Sequence, residues 1–355
     1  MDQFWKSKKV LITGHSGFKG SWLSLILKIY GADIYGISLQ PELNPNLYEL
    51  IQDKLSFSSK ESFLDIRDRQ KLSKKVNEYE PDIVFHMAAQ PLVRRSYLDP
   101  IETWETNLMG TLNLLNALKN IKKKCSVVII TTDKVYKNRN VEYGYRESDE
   151  LGGNDPYSSS KAACELAVYS WRKSFCESDN KLNKLLSIAT ARSGNVIGGG
   201  DWSIDRIVPD TIKAFKEEKI LKIRNSKHTR PWQHVLDPLS GYMMLAMHNF
   251  ISEASYNEAF NFGPKIESNT TVIRLVKEII KHWPGEFSEE AQKDSYYEAE
   301  MLHLQIDKSY KLLNWYPKWG FEESVQRTAK WYKDFYENNS AYECMLNDIK
   351  TFFKI

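Results

Sequence analysis

The feature that most constrains this chain is a rhythm in its first half, where short β-branched runs alternate with segments of helical period. Residues 10–13, 33–38, 62–64, 83–87, 127–131 and 186–191 read as buried strands, nearly continuous in apolar character. Between them, 22–30, 69–80, 101–119 and 158–175 place apolar residues at steps of three and four, with Lys and Glu opposite. Gly31 follows the first of these helices, at a favoured C-terminal cap position. Strands joined through helices lie parallel, because each crossover must return over the sheet. The alternation therefore predicts an α/β fold, a doubly wound parallel sheet with helices on both faces. After about residue 192 the rhythm breaks: 194–205 is a Gly-rich polar loop, and 321–336 regains helical period. The expected division is a sheet domain over 1–192, with 235–262 returning to it, and a smaller discontinuous domain over 193–234 and 263–355.

Composition narrows the class. Forty-nine Lys and Arg against 46 Asp and Glu leave +3, which argues against nucleic-acid binding by bulk charge. Cys125, Cys164, Cys176 and Cys344 have no short spacing, so they read as reduced thiols and not as a disulfide frame or a zinc site. The polar start leads into too few apolar residues for a signal peptide, and no window approaches the length of a membrane span. A soluble cytoplasmic protein is expected.

The first strand runs directly into Gly14-His15-Ser16-Gly17-Phe18-Lys19-Gly20, and a helix follows. In this GxxGxxG spacing Gly14 permits the tight turn, Gly17 a close approach to pyrophosphate, and Gly20 tight helix–strand packing. The helix N-terminus offers free N–H groups to the phosphates. An ordinary strand-to-helix turn is the alternative, and the loop's position after the first strand favours the dinucleotide. At the end of the second strand, Ser38-Leu39-Gln40 offers no acid for the ribose hydroxyls and no Arg for a 2′-phosphate, leaving NAD or NADP open there. Asp65 ends the third strand, where it would either accept from the adenine amine or cap the next helix.

Tyr157 and Lys161 stand four apart at the start of a helix, hence on one face. A Tyr hydroxyl titrates near 10, and a neighbouring ammonium would lower that value toward a usable base. Thr132 ends the fifth strand, where polar residues of a parallel sheet face the ligand crevice. Asp133 and Lys134 adjoin it, placed for an additional proton transfer. His86 and His234 lack metal-ligand spacing and read as packed histidines, so no metal is expected.

With these residues in place, the chain resembles the extended short-chain dehydrogenase/reductases of the nucleotide-sugar branch along nearly its whole length, and among them the 4,6-dehydratases. The carriers are the glycine loop with Ser21-Trp22-Leu23, His86-Met87-Ala88-Ala89-Gln90-Pro91-Leu92-Val93-Arg94-Arg95-Ser96-Tyr97, Thr132-Asp133-Lys134-Val135-Tyr136, Asp155-Pro156-Tyr157-Ser158-Ser159-Ser160-Lys161, Gly194-Asn195-Val196-Ile197-Gly198-Gly199-Gly200-Asp201-Trp202 and Thr229-Arg230-Pro231-Trp232-Gln233-His234-Val235. The resemblance implies a Rossmann-type sheet, NAD as cofactor and CDP-glucose as substrate, with C4 oxidised, water lost across C5 and C6, and the hydride returned at C6. It casts Tyr157 as base with Lys161 and Thr132 beside it, Asp133 as acid for the departing hydroxyl, and Lys134 as candidate base at C5. It places Gly14, Ser16, Gly17, Phe18, Lys19, Gly20, Ser38, Asp65, Ile66, Ala88, Ala89 and Gln90 at the cofactor. Asn195, Arg230, Arg206, Arg192 and Arg95 fall to the nucleotide sugar.

The resemblance also implies a homodimer built from helices 101–119 and 158–175, and a role in deoxysugars of bacterial polysaccharide. Trp104, Leu108, Leu112, Leu166, Tyr169 and Trp171 would form that interface or face the sheet instead. Two rival activities stay open. A sugar-nucleotide 4-epimerase needs Tyr157 and Lys161 but has no use for an acid at 133. A sensor of dinucleotides or sugar nucleotides would need none of Tyr157, Lys161 and Thr132, and the presence of all three disfavours it.

Overall fold

The computed structural model describes residues 2–55, 60–176, 185–252, 256–290, 299 and 301–355. Seven parallel strands form the central sheet: β1 (Lys9–Thr13), β2 (Asp33–Ser38), β3 (Glu61–Phe63), β4 (Ile83–His86), β5 (Cys125–Ile130), β6 (Leu186–Ser193) and β7 (Ala259–Phe262). Their order is β7-β6-β5-β4-β1-β2-β3, so the chain reverses direction across the sheet between β1 and β4. In a doubly wound sheet that reversal opens a crevice at the carboxyl ends of the strands, the usual place for a ligand.

The pleat explains the two cores. Val10 and Ile12 face one side with Phe85, Val128, Ile130 and Ala189. Leu11 faces the other with Val84, Val127, Ile129 and Ile188. All six strands expected from the sequence are present, with boundaries shifted by a residue or two. β7 is the one that sequence pattern did not separate from its surroundings, being only four residues long.

The helices differ more. The first, α1 (Phe18–Ile29), starts four residues earlier than its apolar period suggested, inside the glycine loop. The region expected as one helix over 101–119 is Pro100–Trp104, a π turn over Glu105–Met109, then Gly110–Leu118. Gly110 is needed there because a Cβ would lie 2.4 Å from Ile66 Cδ1. Helix α2 (Pro156–Trp171), which carries Tyr157 and Lys161, begins with Pro at its first turn, a position whose N–H has no intrahelical acceptor anyway. Asp155 caps it, accepting from Ser158 N at 2.9 Å. Helix α3 (Leu236–Ile251) packs on the β5–β6 face. The stretch 194–205 is a loop apart from Val196–Ile197, which pairs with Gln233–His234. The helix expected over 321–336 is present as Phe321–Tyr336.

Helix α3 reaches the sheet closely because Gly241 lies against β7: a Cβ there would stand 2.3 Å from Phe262 Cδ1. Gly241→Ala should therefore destabilise the fold by about 1–3 kcal/mol through overpacking. A denaturant titration showing no loss would mean the helix has room to move away.

Candidate active site

The glycine loop has the geometry of a dinucleotide cradle. Gly14 has φ +78°, and a Cβ on it would lie 2.7 Å from Ala88 N. A Cβ on Gly20 would lie 2.1 Å from Gly14 O, so that glycine lets the helix seat against the strand. Gly17, by contrast, meets nothing nearer than 3.4 Å, leaving its outer face open to a ligand. No side chain caps the N-terminus of α1. Its first amides and helix dipole are thus available to an anion, and the residues present fit a bound dinucleotide.

Around the cradle, Ser16 Oγ bonds Ser38 Oγ at 2.7 Å and donates to Leu39 O at 3.0 Å, so hydroxyls stand where a ribose acid was absent. Asp65 does not cap the following helix; Asp68 does, accepting from Lys71 N at 3.0 Å. Asp65 instead holds Arg67, with Nη2–Oδ2 at 2.6 Å. Ile66 is buried against the sheet, while Ala88 and Ala89 are half-buried at the crevice. Gln90 is fully committed to scaffolding, its amide donating to Thr103 Oγ1 and Leu92 O while Oε1 accepts from Leu92 N. That corrects its expected place among cofactor-lining side chains.

The catalytic candidates converge at the ends of β5 and β6. Tyr157 is buried, and burial pushes its hydroxyl up to about 12 while a hydrogen bond with Thr132 and the charge of Arg206 pull it down. The positive charge of Arg206 acts on the phenol against the negative charge of Asp133. Lys161 Nζ donates to Ile130 O at 3.3 Å, and burial lowers its pKa. Asp133 is fully buried: Oδ1 accepts from Thr132 Oγ1 at 3.0 Å and from Lys134 Nζ at 3.2 Å. Its other oxygen, Oδ2, has no protein donor. Gly194 makes room for that oxygen, since a Cβ would lie 3.0 Å from it.

Of the residues expected at the nucleotide sugar, Arg206 lies within electrostatic range of Tyr157. Arg206 is braced by Asp201, Nη1–Oδ2 at 2.9 Å. Asn195 Oδ1 is buried with no hydrogen-bond partner. Arg230 is half-buried, with Nη1 donating to Thr229 O at 2.8 Å. Two others serve elsewhere. Arg95 forks onto Glu102 at 3.0 Å on the outer surface. Arg192, expected at the diphosphate, is buried and grips Glu165, with Nε and Nη2 each at 3.0 Å. Its guanidinium also donates to Tyr136 Oη, so it is structural.

Glu165 is not legible in the sequence, because its partner lies 27 positions away. Ser193 and Tyr242 were also missed; Tyr242 Oη donates to Ser193 Oγ at 2.7 Å beside Lys19. His86 is neutral scaffolding, pushed down to about 3 by burial and bonded to Thr13 and Thr111. His234 is likewise pushed down to about 3. Among the described residues no cluster of three metal-ligating side chains occurs, and Cys125, Cys164 and Cys344 are buried free thiols. No described helix is long and apolar enough to cross a membrane.

A doubly wound sheet with a glycine cradle and a Thr–Tyr–Lys set at its carboxyl edge defines a dinucleotide-dependent short-chain oxidoreductase fold. Residues 11–328 match the model of the GDP-mannose 4,6 dehydratase family, and the chain belongs to that family. It is 42% identical over 350 residues to a CDP-glucose 4,6-dehydratase of Salmonella typhimurium, covering 98% of this chain and 97% of that protein. A dTDP-glucose 4,6-dehydratase of Shigella flexneri is 27% identical, over 91% and 92% of the two chains. Among solved structures, a Streptomyces venezuelae dTDP-glucose 4,6-dehydratase with NAD and TYD bound has the same fold, with TM-score 0.77 at 21% identity, covering 92% of this chain and 97% of that one.

Arg192→Met should cost about 3–5 kcal/mol of stability, because Glu165 is left charged and buried without a partner. Burial pushes the Glu165 carboxyl up, but Arg192 and two threonines hold it below its usual value of 4.5. The stabilisation it contributes is therefore present above that value and lost as pH falls through the lower folded one. Urea melts of the wild type and Arg192→Met at neutral pH check this, and a difference under about 1 kcal/mol contradicts it.

Proposed function

We propose that this protein is an NAD-dependent CDP-glucose 4,6-dehydratase, yielding CDP-4-keto-6-deoxyglucose and water. The 42% identity over nearly the whole length supports the substrate. The observation that carries the reaction class is Asp133, buried beside Thr132 with one carboxylate oxygen unclaimed. An epimerase has no elimination step for such an acid to serve.

NAD, held along Gly14, Ser16, Gly17, Phe18 and Gly20, would accept hydride from the sugar, return it later, and bring a positive ring toward Tyr157. The chain's own groups then divide the proton transfers. Tyr157 Oη takes the proton of the sugar 4-hydroxyl while Thr132 orients that oxygen. Burial alone would keep the phenol protonated at neutral pH, so nearby positive charge is required, and Arg206 supplies part of it. Lys161 orients the site from the Ile130 carbonyl.

The Asp133–Lys134 pair supplies an acid and a base at once. When the shared proton lies on Asp133, Lys134 is a neutral amine. The C5–H bond then breaks toward Lys134, its electron pair forms the C5–C6 double bond, and the C6 hydroxyl leaves with the proton of Asp133 Oδ2. The pair ends as ammonium and carboxylate, the state that its 3.2 Å contact favours. Asn195, Arg206 and Arg230 are assigned to the nucleotide diphosphate, where a guanidinium fork matches phosphate oxygens.

The expected division, 1–192 with 235–262 for the cofactor and 193–234 with 263–355 for the nucleotide sugar, is part of this proposal. The presence of Ala259–Phe262 in the main sheet supports it. So is a homodimer: Leu98, Ile101 and Met109, on three successive helical segments within 93–109, and Leu166 and Tyr169 on α2 are exposed. Sedimentation should show twice the 41.3 kDa chain mass, and a monomer alone would contradict it.

Purified protein given CDP-glucose should form a 4-keto product, read by its alkaline absorbance. Asp133→Asn should retain C4 oxidation but slow water loss by at least about tenfold, so that reduced cofactor accumulates. Unimpaired turnover would remove Asp133 from its role, and C4 inversion without water loss would make the protein an epimerase.

A further inference from the structure

The motif Gly198-Gly199-Gly200-Asp201-Trp202 has no part in the proton transfers proposed above, yet its loop is tightly built. A Cβ on Gly199 would lie 1.9 Å from Trp331 Cδ2, and Gly200 has φ +85°. Trp22 Nε1 donates to Gly199 O at 3.0 Å, which ties the loop to α1. From the helix Phe321–Tyr336, the buried Tyr332 hydroxyl accepts from Asp201 N at 3.0 Å and donates to Asp201 O. One phenol therefore clamps both backbone groups of Asp201.

The side chain so fixed is a buried carboxylate. Asp201 Oδ1 accepts from Ser203 N at 3.0 Å, and Oδ2 accepts from Arg206 Nη1 at 2.9 Å. The Arg206 side chain is 35% exposed against 5% for Asp201, so it runs outward from a buried anchor. Besides Asp201, the titratable groups facing Arg206 are Tyr157 on α2, Tyr332, and Lys19 from the glycine loop. Tyr157 in turn is faced by Thr132 and Asp133 from the turn after β5, by Asp155 at the start of its own helix, and by Tyr242 from α3. Arg206 lowers the phenol's pKa against burial, Asp133 and Asp155.

We propose that Asp201 is a positioning residue for the oxidation of C4, fixing the Arg206 guanidinium where its charge bears on Tyr157. This rests on the reading of Tyr157 as the base of a dehydratase. Asp201 exchanges no proton in this role and acts through Arg206 alone. The direction of the effect separates position from charge. The carboxylate is itself negative and opposes the field of Arg206 at the phenol, so losing its charge with the guanidinium in place lowers the phenol's pKa. Losing the anchor lets the long side chain swing into solvent, where its charge is screened, and the phenol's pKa rises.

The pH profile of kcat at saturating CDP-glucose tests this, because its acid limb reports the base in the bound complex. Asp201→Ala should move that limb up by at least about half a pH unit, a loss of about threefold below the limb. Arg206→Met should move it likewise, and the double variant no further than Arg206→Met alone. Asp201→Asn keeps an oxygen for the guanidinium and should leave the limb at or below its wild-type position. Tyr332→Phe loosens the loop but spares the carboxylate; it should also raise the limb, and it stands in for Asp201→Ala if that variant does not fold. A merely structural role lowers kcat equally at all pH values and leaves the limb where it is. An unmoved or lowered limb in Asp201→Ala or its stand-in, or shifts that add in the double variant, overturns the proposal while the dehydratase reading stands. Absence of wild-type turnover counts against that reading and takes the proposal with it.

Discussion

The buried pair Glu165–Arg192 is the contact on which the site depends. Glu165 lies one helical turn beyond Lys161 and is saturated: it accepts from Thr131 and Thr190 hydroxyls at 2.5 and 2.7 Å as well as from Arg192. Those four residues tie the catalytic helix to the ends of β5 and β6 simultaneously. Thr131 immediately precedes Thr132, and Arg192 immediately precedes Ser193 and Gly194, so the pair fixes the strand ends that carry the chemistry. An unsatisfied carboxylate here would be costly, which is why every lone pair has a directed donor. The functional side chains are short and local; the frame that registers them to one another is this ionic junction.

Beside that neutral junction, positive charge is gathered in a small volume. Lys19, Lys134, Lys161 and Arg206 face a centre whose buried carboxyl group is Asp133. Such an excess suits a cleft that must receive two diphosphates, one from a dinucleotide and one from a nucleotide sugar. It also suits chemistry in which a phenol must lose a proton despite burial.

Much of the fold was legible because parallel strands buried on both faces read as apolar runs and their crossover helices as amphipathic stretches. The glycine loop was legible for a steric reason, since Gly14 and Gly20 occupy positions where a Cβ would collide with backbone. What stayed hidden was long-range. The edge strand Ala259–Phe262 has no pattern of its own and is defined by pairing with β6. Arg192 stood at the right strand end for a phosphate contact, and only the placement of Glu165 shows that its fork is taken. Gln90 and Arg95 were drawn away similarly, by Thr103 and Glu102. Thr132, Asp133, Tyr157 and Lys161 were legible because their spacing is local and their helix and strand end are fixed by topology.

In the proposed reaction, oxidation, water loss and reduction occur on one sugar without release between steps. The direct measurement uses CDP-glucose carrying deuterium at C4, with the product examined by NMR and mass spectrometry. The account predicts that the deuterium reappears at C6 of the same molecule. Its loss to solvent, its return to C4, or scrambling between labelled and unlabelled substrate molecules would contradict it.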